Sequence, residues 1–181
     1  MTFKIDTFVS HLKQGGALGS LFECSVTGAK GADAATAAAE FKFLCKEAIL
    51  PASTIEAGTV TYMGRALQIP GNRTAQQLNT TVYNDEDMLI RNNIESWMDM
   101  INSHQSNSRQ SGMSKINSYT GQLEVKQLSK EDAGPVKTYT FKDCWPSSCA
   151  EVPLSWETNE IQTFAVTWEY NYWTSGESGI G

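Results

Sequence analysis

Alternation is strongest near the end of the chain. In NEIQTFAVTWEYNYW, residues 159–173, Phe164, Val166, Trp168, Tyr170 and Tyr172 recur at every second position, with Thr163, Ala165, Thr167, Glu169 and Asn171 between them. Successive strand side chains point to opposite faces, so the stretch predicts one strand with an apolar core side and a small, polar, acidic second side. The same period predicts strands at LFECSV (Phe22, Cys24, Val26), EFKFLCKEAIL (Phe41, Phe43, Cys45), LNTTVY, YTGQLEVKQL (Leu123 and Val125 inward) and VKTYTFKDCW (Tyr139, Phe141 and Trp145 inward). SKEDAGP separates the last two as a turn.

Residues 51–74 behave differently. Val60 and Tyr62 share one phase; Met63, Arg65, Leu67 and Ile69 share the other, and the break at Met63-Gly64 predicts a bulge or sharp bend. Such an apolar ribbon would be an aggregation hazard at a free edge, so a pairing partner is expected. Helical spacing is present twice. Ile5, Phe8, Val9 and Leu12 predict a short amphipathic helix ending at Gly15-Gly16. Ile90, Ile94, Trp97, Met98 and Ile101 form the stripe of the one long helix, with Asn84 or Asp85 as cap and Glu86 and Asp87 in its first turn. TGAKGADAATAAAE, residues 27–40, has few large side chains and predicts a flexible or partner-ordered loop, with a helical turn allowed near 34–40. Residues 102–118 predict a long polar loop. The expected fold is mainly β: a single domain over 1–181, an antiparallel barrel or sandwich carrying one packed helix. Its extensions are an N-terminal arm with the short helix over 1–18, a projecting ribbon over 54–72, the 102–118 loop and a flexible tail over 174–181.

Charge and chemistry narrow the function. The 181-residue chain carries a formal net charge of −6, with no Lys/Arg cluster of the kind that phosphate binding demands. The first residues lack the basic start and continuous apolar stretch of a secretory signal, and no apolar run approaches a membrane span, so no membrane anchor is expected. The four cysteines are then read as free thiols. Cys144 and Cys149 in CWPSSC have a gap longer than CxxC and lack the second pair that a zinc site requires. His11 and His104, the two histidines, fall on a polar helix side and at a fraying helix end. NDED lacks the glycine and distant glutamate of a calcium loop, and GGALGS lacks the Lys-Ser/Thr of a phosphate loop. Met88, Met98 and Met100 read as helix packing, and Trp145, Trp156, Trp168 and Trp173 as core or interface packing. No catalytic, cofactor or metal site is expected.

Several stretches together resemble the tail tube proteins of contractile-tailed bacteriophages, the T-even type in particular. They are LPAS at 50–53, MGRALQIPGNRT at 63–74, VYNDED at 82–87 with Trp97 after it, and CWPSSCAEVPLSWETNEIQTFAVTWEYNYW at 144–173. The resemblance covers most of residues 18–173, and the last block is its most specific part. It implies six-membered rings that stack into a tube through which DNA leaves the virion, with sheath, baseplate and tail terminator proteins as partners and assembly in the host cytoplasm. Thr163, Thr167, Glu169 and Asn171 become candidate lumen residues; the alternative is an ordinary solvated sheet face. Ile55, Val60, Tyr62, Met63, Arg65, Leu67 and Ile69 become candidate contacts between subunits or rings; the alternative is a hairpin packed on its own domain. Phage-like injection and type VI secretion tubes share the implied architecture, and a small-ligand-binding barrel is the competing class.

Overall fold

The computed structural model describes residues 4–12, 15–131, 134–157 and 159–177. Nine strands and four helices run in the order α1 (Ile5–His11), β1 (Phe22–Thr27), α2 (Ala34–Leu44), β2 (Cys45–Ile49), β3 (Ser53–Tyr62), β4 (Arg65–Ala75), β5 (Leu78–Tyr83), α3 (Leu89–Ile101), α4 (Ile116–Tyr119), β6 (Gly121–Leu128), β7 (Pro135–Cys149), β8 (Thr163–Glu169) and β9 (Tyr172–Glu177), counted among the described residues. The main sheet is antiparallel in the order β1-β6-β7-β8-β5-β2, with β9 also on β7. Among the described residues, β3 and β4 pair only with each other.

The fifteen-residue β7 joins two sets of strands. β6 pairs along one edge, while β9 covers Lys137–Lys142 and β8 covers Trp145–Cys149 on the other. The inward positions make one core: Cys24 and Val26 from β1, Leu78 and Val82 from β5, Leu123 and Val125 from β6, Phe141 and Cys144 from β7, and Phe164, Val166 and Trp168 from β8. α2 contributes Phe41, and α3 contributes Ile90, Ile94 and Trp97. Trp168 meets both helices edge-on, with ring centroids 6.0 Å from Phe41 and 5.9 Å from Trp97. Its indole N–H donates to Thr80 Oγ1 at 2.9 Å, and the Trp97 N–H donates to the Tyr119 carbonyl at 2.6 Å, so neither ring buries an unpaired donor.

Four expectations change. Residues 34–44 are a helix, and neither the loop expected over 27–40 nor a strand through Phe41, Phe43 and Cys45 survives. Five alanines in this span favour helix, and one turn places Ala37 and Phe41 on the same buried face. Phe43, two residues on, turns away and is 77 % exposed. The preceding loop is tied down: Asn93 Nδ2 donates to the carbonyls of Lys30 and Ala32 at 2.9 and 2.6 Å. Gly31 sits there at φ +95°, where a Cβ would lie 2.6 Å from the Asn93 carbonyl oxygen.

The second change is a shared phase slip. Trp145 was expected inward, but Asp143 adopts φ +56° and the β6–β7 register shifts between Leu123↔Phe141 and Gly121↔Cys144. This bulge brings Cys144 into the core and leaves Trp145 only half-buried. Third, the strand expected over 159–173 is interrupted opposite this point, ending at Glu169 and resuming at Tyr172. Tyr172 is therefore exposed, and Trp173 takes the core side against Phe141 and Tyr139. Asn171 bridges the two irregularities, its amide N–H bonding to the Lys142 carbonyl at 3.1 Å and its Nδ2 to Asp143 Oδ2 at 2.9 Å.

Fourth, Glu86 and Asp87 precede α3 instead of forming its first turn, because Met88 at φ +50° is the N-cap residue. Asp85 still contributes, its Oδ1 accepting the Leu89 N–H at 3.2 Å. Residues 174–177, expected in a flexible tail, continue β9; residues 178–181 lie outside the described residues. α1 ends at His11 with Ile5, Phe8, Val9 and Leu12 all exposed, and Gly15 and Gly16 follow at positive φ.

β1 and β2, the two ends of the strand path, carry Cys24 and Cys45. Hydrogen bonding between the two sulfurs, followed by burial, raises Cys24, while the same contact lowers Cys45, whose Sγ also donates to the Glu47 carbonyl at 3.5 Å. Burial pushes Cys144 up to about 12 and also raises Cys149. Only a thiolate alkylates readily. Native monomer at pH 8 is therefore expected to react with iodoacetamide first at Cys45, with Cys24 and Cys144 protected until denaturant is added; mass spectrometry of the labelled peptides reads this. For the helix, Phe41→Ala is expected to cost about 3–5 kcal/mol in denaturant unfolding. Phe43→Ala should stay within about 0.5 kcal/mol of wild type. Equal losses at the two positions would contradict the helical placement.

Candidate assembly surfaces

β8 has two faces of opposite character. Phe164, Val166 and Trp168 are buried, while Thr163, Ala165, Thr167 and Glu169 are half-buried on the reverse side. Across the β5 pairing, Thr163 faces Tyr83, Ala165 faces Thr81 and Thr167 faces Asn79. On the β7 side, Glu169 faces Trp145 and Thr167 faces Ser148. The polar groups bond to one another: Thr167 Oγ1 donates to Asn79 Oδ1 at 2.9 Å, and Gln77 Nε2 donates to Glu169 Oε1. β2 adds Glu47 opposite Thr81, and Lys46 lies 5.5 Å from the Tyr83 ring centre. The face is thus polar along β8 itself, flanked by Tyr83 and Trp145; Lys46 beside it lies over an aromatic ring, and Arg73 lines a cleft with Glu169. Asn171, expected on this face, lies exposed at the break between β8 and β9, lining a cleft with Glu169. Asn79 and Thr81 belong to it instead; their positions alternate with Leu78, Thr80 and Val82, which was the available signal.

The second surface is the β3–β4 hairpin. Met63 and Gly64 form its two-residue turn at φ +47° and +79°, the left-handed pair that matches strand twist. The two opposed sequence phases become one face because the chain folds back on itself. Cross-strand partners share a face, and Tyr62 pairs with Arg65, Val60 with Leu67 and Gly58 with Ile69. Val60, Tyr62, Arg65, Leu67 and Ile69 therefore line one side. Ile69 leans over Gly58, where a Cβ would come within 3.4 Å of its side chain. The reverse side is polar, with Thr59 Oγ1 bonded to Gln68 Oε1 at 3.0 Å. Ile55 falls on that reverse phase, below a register shift between Ile55 and Ala57, and Met63 stands at the tip. Apart from Gly58, every residue of both strands is exposed.

Catalytic chemistry finds no assembled set. Among the described residues no group of three or more His, Cys, Asp or Glu is placed to hold a metal. His11 is exposed on α1, and His104 is exposed with its backbone N–H on Asp99 Oδ1. Cys144 and Cys149 both belong to the core side of β7. No described helix is long and apolar enough to cross a membrane.

The family model described as phage tail tube protein matches residues 17–175. The tail tube protein gp19 of Enterobacteria phage T4 is 34 % identical over 134 residues, spanning 74 % of this chain and 80 % of that protein. The gp19 of Enterobacteria phage T6 shows the same identity and coverage. Among solved structures, the tube-terminating cap of the anti-feeding prophage aligns with a TM-score of 0.64 at 12 % identity, covering 90 % of this chain and 91 % of that one. The sheath–tube complex of the PVC extracellular contractile injection system aligns with a TM-score of 0.56 at 13 % identity, covering 97 % and 99 %. At such identities these two show a common fold. The family match and the phage relatives show more: the chain belongs to the phage tail tube protein family, structural components of the virion tail.

Proposed function

We propose that six copies of this chain close into a ring, that rings stack into the inner tube of a contractile tail, and that DNA leaves through the bore. The observation that carries this is the β3–β4 hairpin, an apolar face on two strands that its own domain leaves uncovered. A solvated hairpin of this kind is marginal alone and becomes stable when a neighbouring copy covers it. Ile55, Val60, Tyr62, Met63, Arg65, Leu67 and Ile69 accordingly supply the contact between subunits or rings. The outer face of β8, with Thr163, Thr167 and Glu169, borders the bore. Small hydroxyls and a carboxylate offer phosphates no cationic anchor, and charge acts over about 8 Å at physiological salt. A duplex therefore passes without adhering. The structural neighbours belong to sheath–tube, baseplate and terminator assemblies, which supports sheath, baseplate and terminator proteins as partners here.

Met63 and Leu67 are 88 % and 60 % exposed, so aspartate at both is expected to leave the monomer's circular dichroism and melting unchanged while abolishing hollow rods in negative stain. Rods forming at the wild-type rate would show that the hairpin is not the joint. Thr163→Lys, by contrast, should leave rods intact and make them retain double-stranded DNA, with retention falling as salt rises. Salt-independent behaviour identical to wild type would remove Thr163 from the bore.

A further inference from the structure

An apolar projection needs an apolar seat, and the chain carries one between β7 and β8. Between β7 and β8, the described residues 151–157 and 159–162 have no regular structure. Leu154 and Ile161 are largely exposed, and Trp156 is fully exposed at 106 %. They border an open cleft of about 390 Å³ together with Pro153 and Glu160. The segment is anchored at both ends. Val152 packs on the core, Arg91 bonds to the Ala150 carbonyl at 3.4 Å, and the Gln162 carbonyl accepts the Asn84 N–H at 2.9 Å. An anchored loop holding three large apolar side chains in water is a binding surface by construction.

Charge selects the occupant. Over 151–162 the chain has Glu151, Glu157 and Glu160 and no Lys or Arg. The hairpin, residues 53–75, has Arg65 and Arg73 against a single acid, Glu56. Arg65 sits on the hairpin's apolar face beside Tyr62, within the surface that has to be covered. Pairing two hairpins face to face would oppose Arg65 to Arg65 and close the contact after two copies. Seating a hairpin on the acidic loop opposes unlike charges and joins two different patches, which leaves a free hairpin and a free loop for further copies.

Resting on the tube proposal, we infer that the β3–β4 hairpin of one copy docks on the 151–162 loop of another. Val60, Tyr62 and Leu67 cover Leu154, Trp156 and Ile161, and Arg65 faces Glu157 and Glu160. The contact is heterologous and repeats with every added copy.

The test is a charge-reversal cycle on full-length protein, with polymerisation followed by light scattering and negative stain. Arg65→Glu alone, and Glu157→Lys with Glu160→Lys, are each expected to slow polymerisation on the order of tenfold or more, and their combination to recover most of the loss. Arg65→Lys should remain close to wild type. Trp156 should move from water to an apolar setting on assembly, so the emission blue-shift of wild type is expected to shrink in Trp156→Phe. Additive losses in the combined variant, or no loss in either parent, would overturn the docking while wild-type rods leave the tube proposal standing. Reversed variants that polymerise normally and fail only to bind sheath would also overturn it, assigning the loop to the sheath. Wild-type protein that never self-associates would overturn both.

Discussion

Trp168 is the residue on which the two-sided character of this protein turns. Its ring meets Phe41 of α2 and Trp97 of α3 edge-on, and its N–H is bonded to Thr80 on the adjacent strand. That contact covers the inner face of β8 with both helices and seals the core on that side. With the helices committed there, no helix or sheet among the described residues covers the outer face of β8. Its threonines and Glu169 are satisfied by cross-strand polar partners instead. A wall of a water-filled bore needs this combination: a dry, stiff inner side and a wet outer one without adhesive charge.

The hairpin and the 151–162 loop follow a different economy. Both display large apolar side chains to water, which contributes nothing to the stability of a lone molecule and risks promiscuous association. Each is held in shape by local means: the hairpin by its left-handed turn and cross-strand register, the loop by anchors to α3, β5 and the core. Neither support requires the apolar side chains themselves to be covered, so the domain folds with both surfaces in water. Charges of opposite sign on the two surfaces then restrict which of them meet. Under the proposed assembly, the same features that burden the monomer give the tube its direction of growth.

Most of the sheet was legible because period two is a strong signal where a strand has one dry face. Leu78, Val82, Leu123, Val125, Phe164, Val166 and Trp168 all lie inward at the positions that alternation assigns. The stripe of α3 was equally plain. The failures share a cause. Phe41 and Phe43 fit alternation as well as they fit a helix, and two aromatic residues are too few to separate the periods; the alanines before them decided the outcome through propensity and packing. Trp145 and Tyr172 were misplaced because one left-handed residue, Asp143, shifts a strand by one position without any glycine to announce it.

From the sequence alone came the class of fold, the core positions of its regular strands, the family resemblance and an acidic chain unsuited to gripping DNA. These depend on composition and on local periodicity, which the order of residues carries directly. The tertiary structure decided which faces remain uncovered. Only folding back at Met63-Gly64 unites two opposed phases into a single apolar face, and only the pairing of β5 with β8 brings Asn79 beside Thr167. Faces are properties of pairing partners distant in the chain, and no local pattern encodes a partner's register.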